Sequence, residues 1–116
     1  MSIKTISFYR TASGKFPVEE HLDNLSDEQA AKIAWVLKLI RELDQIPSKY
    51  LKKLVNTNDL WEVRVNARGD TFRLLGFFAG PESIILTNLF QKKSRKTPVK
   101  EIRLAEKRKK NYMDRR

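Results

Sequence analysis

Three observations predict an α+β fold: a block of alternating strands punctuated by turn residues at 60–90, an amphipathic helical pattern before it, and a basic helical pattern after it. In the block, Trp61, Val63 and Val65 alternate with Leu60, Glu62 and Arg64, the two-residue period of a half-buried strand. Runs 71–78 and 83–90 supply two further strands. Asn66, Ala67, Arg68, Gly69 and Asp70 separate the first two runs, and Ala79, Gly80, Pro81 and Glu82 the last two. Both connections are short enough for antiparallel hairpins.

Paired strands must turn their apolar faces to the same side of a sheet. If Trp61, Val63 and Val65 share a core face with Phe72, Leu74 and Phe78, then Glu62, Arg64 and Arg73 share the opposite one. A slip of one residue would bury Arg73. Hairpin connectivity also brings the end of the first strand, the start of the second and the end of the third to one end of the sheet, so Arg64, Arg73, Lys92 and Lys93 converge there. Leu75 and Phe77 make the second face of the middle strand apolar as well.

Taken in order, residues 3–9 are β-branched and aromatic and read as a first strand. Residues 16–22 read as a short helix with Pro17 in its first turn and acidic residues near its positive end. Ser26, Asp27, Glu28 and Gln29 form a capping box opening a helix to about Leu43. Ile33, Ala34, Leu37 and Ile40 fall at helical spacing, and Trp35 is expected in the core with them. This helix should lie across the sheet. Residues 49–54, with Lys52 and Lys53, lead into the strand block; the two lysines either extend a basic groove or are an ordinary surface pair. Thr97 as N-cap and Pro98 at the first helical position open a last helix, reaching about Tyr112. Ile102, Ala105 and Tyr112 give it a thin apolar edge, which predicts weak packing; 112–116 read as a disordered tail.

The 116 residues suit one domain spanning 1–116, with 41% hydrophobic residues to fill a core. No cysteine occurs, which excludes a disulfide framework, a thiolate zinc site and a cysteine nucleophile. The single histidine, His21, sits among acids as a surface residue and cannot build a metal site alone. The first ten residues lack a signal-peptide core, and no apolar run approaches the roughly 18 residues of a membrane span. The expectation is a soluble, cytoplasmic protein without metal or cofactor. Net charge is +10, and it is unevenly placed: residues 1–90 hold twelve basic against eleven acidic side chains, residues 91–116 twelve against three. Such a stripe suits a polyanion, either nucleic acid or an acidic protein surface.

The ordered set Leu51, Lys52, Lys53, Leu54, then Leu60, Trp61, Glu62, Val63, Arg64, then Phe72, Arg73, Leu74, then Leu89, Phe90, Gln91, Lys92, Lys93, then Thr97, Pro98, Glu101, Ile102, Ala105, Arg108 and Tyr112 resembles the RelE/ParE toxin superfamily. Within it the resemblance is closest to the phage-derived, HigB-like branch of type II toxin-antitoxin toxins, and it covers nearly the whole chain. It implies a small RelE-like microdomain: a twisted antiparallel sheet, helices packed on one face and a basic C-terminal helix. It also implies a ribosome-dependent mRNA endonuclease that inhibits translation and is held inactive by a cognate antitoxin, expected to be of the helix-turn-helix type. By the same resemblance Arg73 matches the strand arginine at the scissile phosphate, Arg64 a basic position on the same surface, and Lys92 and Lys93 further basic residues around the cleft. Lys52, Lys53, Arg95 and Lys96 are candidates for binding RNA. Where some members place a histidine or tyrosine after the last strand, this chain has Phe90 and Gln91, so the resemblance assigns no general acid or base.

These residue types suit RNA cleavage. As a 2′-hydroxyl attacks phosphorus, negative charge gathers on the phosphate oxygens, and fixed guanidinium and ammonium groups stabilise it. The hydroxyl proton must also leave. Glu62, the carboxylate on the predicted face, either takes it or forms a cross-strand ion pair with Arg64 or Arg73; in the second case a lysine of lowered pKa or the ribosomal RNA takes the proton. Two other functions remain open from sequence: a ParE-like inhibitor of DNA gyrase, and a phage-derived nucleic-acid-binding protein without catalysis.

Overall fold

A strand whose two faces are both apolar needs cover on both sides, and the longest strand of the protein has it. The computed structural model describes residues 3–115. The elements are β1 (Thr5–Phe8), α1 (Pro17–Asp23), α2 (Asp27–Glu42), β2 (Leu51–Lys53), β3 (Trp61–Ala67), β4 (Asp70–Gly80), β5 (Ser83–Gln91) and α3 (Val99–Asp114). They form an α+β fold whose single sheet has the order β1-β5-β4-β3-β2. The β2–β3, β3–β4 and β4–β5 pairs are antiparallel, as the hairpins predict. The sheet is nevertheless mixed, because β1 lies parallel to β5. The chain between β1 and β5 includes two helices and three strands, a return path that no local turn signal records.

The predicted faces hold. Val63, Val65, Phe72 and Leu74 are buried against Ile33, Val36 and Ile40 of α2 and Val18 of α1, with Trp61 and Phe78 packed at the margin. On the reverse, Leu60, Leu75, Phe77, Ile85 and Phe90 close over Ala105 of α3, flanked by Ile102 and Tyr112. Complete burial of Leu75 and Phe77 contributes about 2 kcal/mol each. The helices therefore cover both faces, α1 and α2 one and α3 the other. The thin edge of α3 suffices because Ala105 lets the helix approach closely.

Polar links reinforce it. Tyr9 donates to Asn111 Oδ1 at 2.6 Å, Lys109 to Asn58 O at 2.6 Å, and Asn88 to Glu101 Oε1 at 2.8 Å. The helix continues to Asp114, and the Arg115 amide donates to the Asn111 and Tyr112 carbonyls, so 112–115 are ordered helix and cap rather than tail; residue 116 lies outside the described residues.

Three further local expectations are revised. The hairpin between β3 and β4 uses two residues, not five: Arg68 and Gly69 have φ of 54° and 82°, the positive pair of a type I′ turn. Residues 51–53 form an edge strand, β2, rather than a lead-in. Trp35 is 46% exposed. It lies about 200° around the helix from Ile33, on the outer side of α2, where it meets Tyr50 edge-on at 6.0 Å.

One irregularity joins the two layers. Leu75 pairs with Asn88 but Gly76 pairs with Leu86, so Thr87 is an extra residue in β5 and the side-chain alternation flips there. Arg108 of α3 donates to the freed Thr87 carbonyl at 2.7 Å. A Cβ on Gly76 would stand 2.4 Å from the Ile85 carbonyl oxygen, whereas one on Gly80 would meet nothing within 4 Å. Gly76→Ala should therefore cost about 3 kcal/mol in urea unfolding, with Gly80→Ala within about 0.5 kcal/mol of wild type; equal stability of the two would refute this packing account.

Candidate functional site

Arg64 and Arg73 stand directly opposite one another in the β3–β4 pairing. Like charges so placed repel. Glu62, two residues before Arg64 and on the same face, offsets them: its Oε1 lies 3.2 Å from Arg64 Nε and 3.4 Å from Arg73 Nε. Its other oxygen accepts the Thr97 hydroxyl at 2.6 Å. The carboxylate is 1% exposed. Both oxygens are engaged, one by the two arginines and the other by the threonine hydroxyl, so the structure forms the ion pair that the sequence offered as one reading of Glu62.

Arg73 is the more deeply set arginine. Its Nη1 donates to the Phe72 carbonyl at 3.0 Å, and its Nε is buried. The Nε contact with Glu62 is an ion pair without hydrogen-bond geometry, so that N–H has no acceptor among the described residues. Burial pulls the Arg73 guanidinium below its ordinary pKa, the Glu62 charge opposes this, and the Arg64 charge adds to it. Guanidinium stays charged at neutral pH regardless.

The strand ladder runs one residue past β5, with the Lys92 amide donating to the Thr71 carbonyl at 2.7 Å. This brings Lys92 beside Arg73. A cleft of about 480 Å³ opens there, lined by Thr71, Arg73, Lys92, Lys93, Ser94 and Arg95. Among the described residues, no acidic one lines it. Burial lowers the Lys92 pKa first, and the positive charge of Arg73 lowers it further, with Arg64 and Lys52 adding and Glu62 opposing. An amine of lowered pKa beside fixed guanidinium groups can exchange a proton while the arginines hold a phosphate.

The convergence expected of Arg64, Arg73, Lys92 and Lys93 is thus met in geometry, and Arg95 joins it. Lys52 pairs opposite Glu62 and is near enough for its charge to act on Lys92. Lys53 is turned away and pairs with Asp59 at 3.1 Å. Lys96 does not line the cleft; its carbonyl accepts the Ser94 hydroxyl at 3.0 Å.

Thr97 is the residue that sequence reasoning misassigned. The helix begins one position later, with Pro98 as its unbonded cap, because the Thr97 hydroxyl is drawn to Glu62 instead. A threonine before proline signals a helix start, and nothing local distinguishes a cap from a tertiary bond across 35 residues. Thr71 and Ser94 of the cleft carried no sequence signal beyond their turns. Among the described residues, no group of three His, Cys, Asp or Glu is placed to hold a metal, and no helix is long and apolar enough to cross a membrane.

A family model described as Phage derived protein Gp49-like (DUF891) matches residues 20–110, from within α1 to within α3 and including every site residue named above. None of the curated proteins compared with the chain matches it.

Removing the Glu62 charge leaves two facing arginines uncompensated. Glu62→Gln should lower stability by about 3 kcal/mol in urea unfolding, and Thr97→Val by about 1 kcal/mol. A Glu62→Gln protein as stable as wild type would mean that the carboxylate does not hold the pair.

Proposed function

The chain belongs to the phage-derived Gp49-like family, within the RelE/ParE-like toxin families, and on that premise we propose that it is the toxin of a type II toxin-antitoxin system, a ribosome-dependent mRNA endonuclease of the HigB-like kind. The observation that carries this reading is the pair Arg64 and Arg73 fixed by one buried carboxylate, with Lys92 beside them at the mouth of a cleft lined by cations and hydroxyls.

In this mechanism the scissile phosphate sits on Arg73, with Arg64 and Lys93 sharing its charge. The 2′-hydroxyl oxygen attacks phosphorus and its proton passes to the neutral amine of Lys92. The bond to the 5′-oxygen breaks, that oxygen takes a proton from a water whose hydroxide recovers one from protonated Lys92, and the products are a 2′,3′-cyclic phosphate and a 5′-hydroxyl end. Arg73 contributes by stabilising charge that is greater in the transition state than in the substrate. Glu62 takes no proton; it keeps the guanidinium groups in place. Lys52, Arg95 and Lys96 bind flanking backbone, while Lys53 contributes only if it leaves Asp59. The partner that silences the protein is a cognate antitoxin of helix-turn-helix type. Covering the cleft is the simpler route for it, since displacing α3 would break its links to Tyr9, Asn58, Thr87 and Asn88.

The test is induced expression of wild type and Arg73→Ala in bacteria, with growth followed and the 5′ ends of a reporter mRNA mapped. Growth arrest with new, translation-dependent cuts is expected from wild type alone, and Arg73→Ala should lose about 100-fold or more in cleavage rate while remaining folded. Arrest without cuts would move the target to gyrase, checked by a supercoiling assay; neither effect would leave a binding protein.

Cleavage by Lys92 has a pH signature. Its neutral form is the base, so kcat/KM should rise with pH through the lowered lysine pKa and then level off. Lys92→Arg should remove that rising limb, and a wild-type profile without one would exclude Lys92 as the base.

A further inference from the structure

A second cationic site lies at the opposite end of β5, away from the cleft. The start of β5, the neighbouring β1 and the last turn of α3 together wall a cavity of about 330 Å³. Ser7, Ser83 and Ile85 are among its lining residues, with Tyr112 and the guanidinium-bearing Arg10 and Arg115 around them. No acidic residue lines this cavity, and neither arginine forms an ion pair among the described residues.

Both arginines are held in place by separate devices. Arg10 packs against Gly14, whose φ is +88°; a Cβ there would stand 3.3 Å from Arg10 Nη2, so the glycine makes the room that the guanidinium uses. The loop carrying Gly14 is closed by the Thr11 amide donating to the Lys15 carbonyl at 2.8 Å and by the Lys15 amide donating to Thr11 Oγ1 at 3.0 Å. Arg115 donates to the Arg10 carbonyl and lies over the Tyr9 ring at 5.3 Å. Tyr9 is itself fixed by its hydrogen bond to Asn111. Two like charges are thus brought to one cavity with nothing there to neutralise them. Guanidinium groups in this arrangement, with two serine hydroxyls nearby, suit a phosphate. The half-buried Tyr112 ring beside them suits a nucleobase, and the volume is that of a small-ligand site.

We propose that this cavity is a nucleotide-binding site, with Arg10 and Arg115 taking the phosphate and Tyr112 the base. The nucleotide is either a free nucleoside monophosphate or one unit of an RNA strand; the recognition chemistry is the same. The proposal does not require that the protein cleave RNA.

The experiment is calorimetric titration of the whole protein with adenosine monophosphate, inorganic phosphate and a short RNA oligonucleotide, alongside amide shift mapping by NMR. Adenosine monophosphate should bind more tightly than phosphate and shift residues 7, 83, 85, 112 and 115. Arg10→Gln and Arg115→Gln should each weaken it at least ten-fold, Gly14→Ala should weaken it by disturbing Arg10, and Arg73→Ala should leave it unchanged. If the oligonucleotide competes at the same residues, the source is an RNA strand; if it does not, the source is a free nucleotide. Binding that survives in Arg10→Gln and Arg115→Gln, that disappears in Arg73→Ala, or that is absent for all three probes would overturn the proposal. Equal affinity for phosphate and adenosine monophosphate would overturn its base-binding part. Because Arg73→Ala separates this cavity from the cleft, failure here and failure of the nuclease reading give different results.

Discussion

Everything at the cationic end of the sheet depends on one buried negative charge. Antiparallel pairing sets Arg64 against Arg73, and a sheet that places two guanidinium groups face to face would lose stability there without an anion between them. Glu62 supplies that anion from within the same strand, and Thr97 holds it from the start of α3. The carboxylate thereby links the inner strands to the C-terminal helix. A group in that position is well suited to keeping its partners from moving.

The features legible in the sequence are those set by local period and by strand pairing. Alternation in 61–65 and 72–78, with two short turns, is enough to place Arg64, Arg73 and Lys92 together, because register leaves no freedom once one face is buried. The parallel β1–β5 contact, the face chosen by α3 and the bulge at Thr87 were not legible, since each depends on contacts between distant segments. Trp35 shows a different limit. Its hydrophobicity suggested the core, but the helical angle set by Ile33, Val36 and Ile40 turns it outward, and angle outweighs hydrophobicity when three smaller side chains already fill the interface. Residues 112–115 show a third: they follow a run of lysines and arginines, yet Asn111 and Arg115 hold them through Tyr9 and Arg10.

At the candidate site, charge and strand register were readable and the surroundings of each side chain were not. The basic residues announced themselves by type and position, whereas the role of Glu62 turned on how many groups surround it. The cavity beside Arg10 and Arg115 had no sequence signature at all, because its two arginines are 105 positions apart and one depends on the missing side chain of Gly14.

The docking of α3 also bears on the order in which the protein can be assembled during synthesis. The helix follows the whole sheet in the chain, and it covers Leu75, Phe77 and Ile85 while delivering Thr97 to Glu62. A nascent chain with its strands already paired would still expose that apolar face and lack one anchor of its arginine clamp until α3 is released. The segment that finishes the core is therefore also the one that fixes the charged site, so a chain truncated before α3 would expose the apolar face and loosen the arginine pair together.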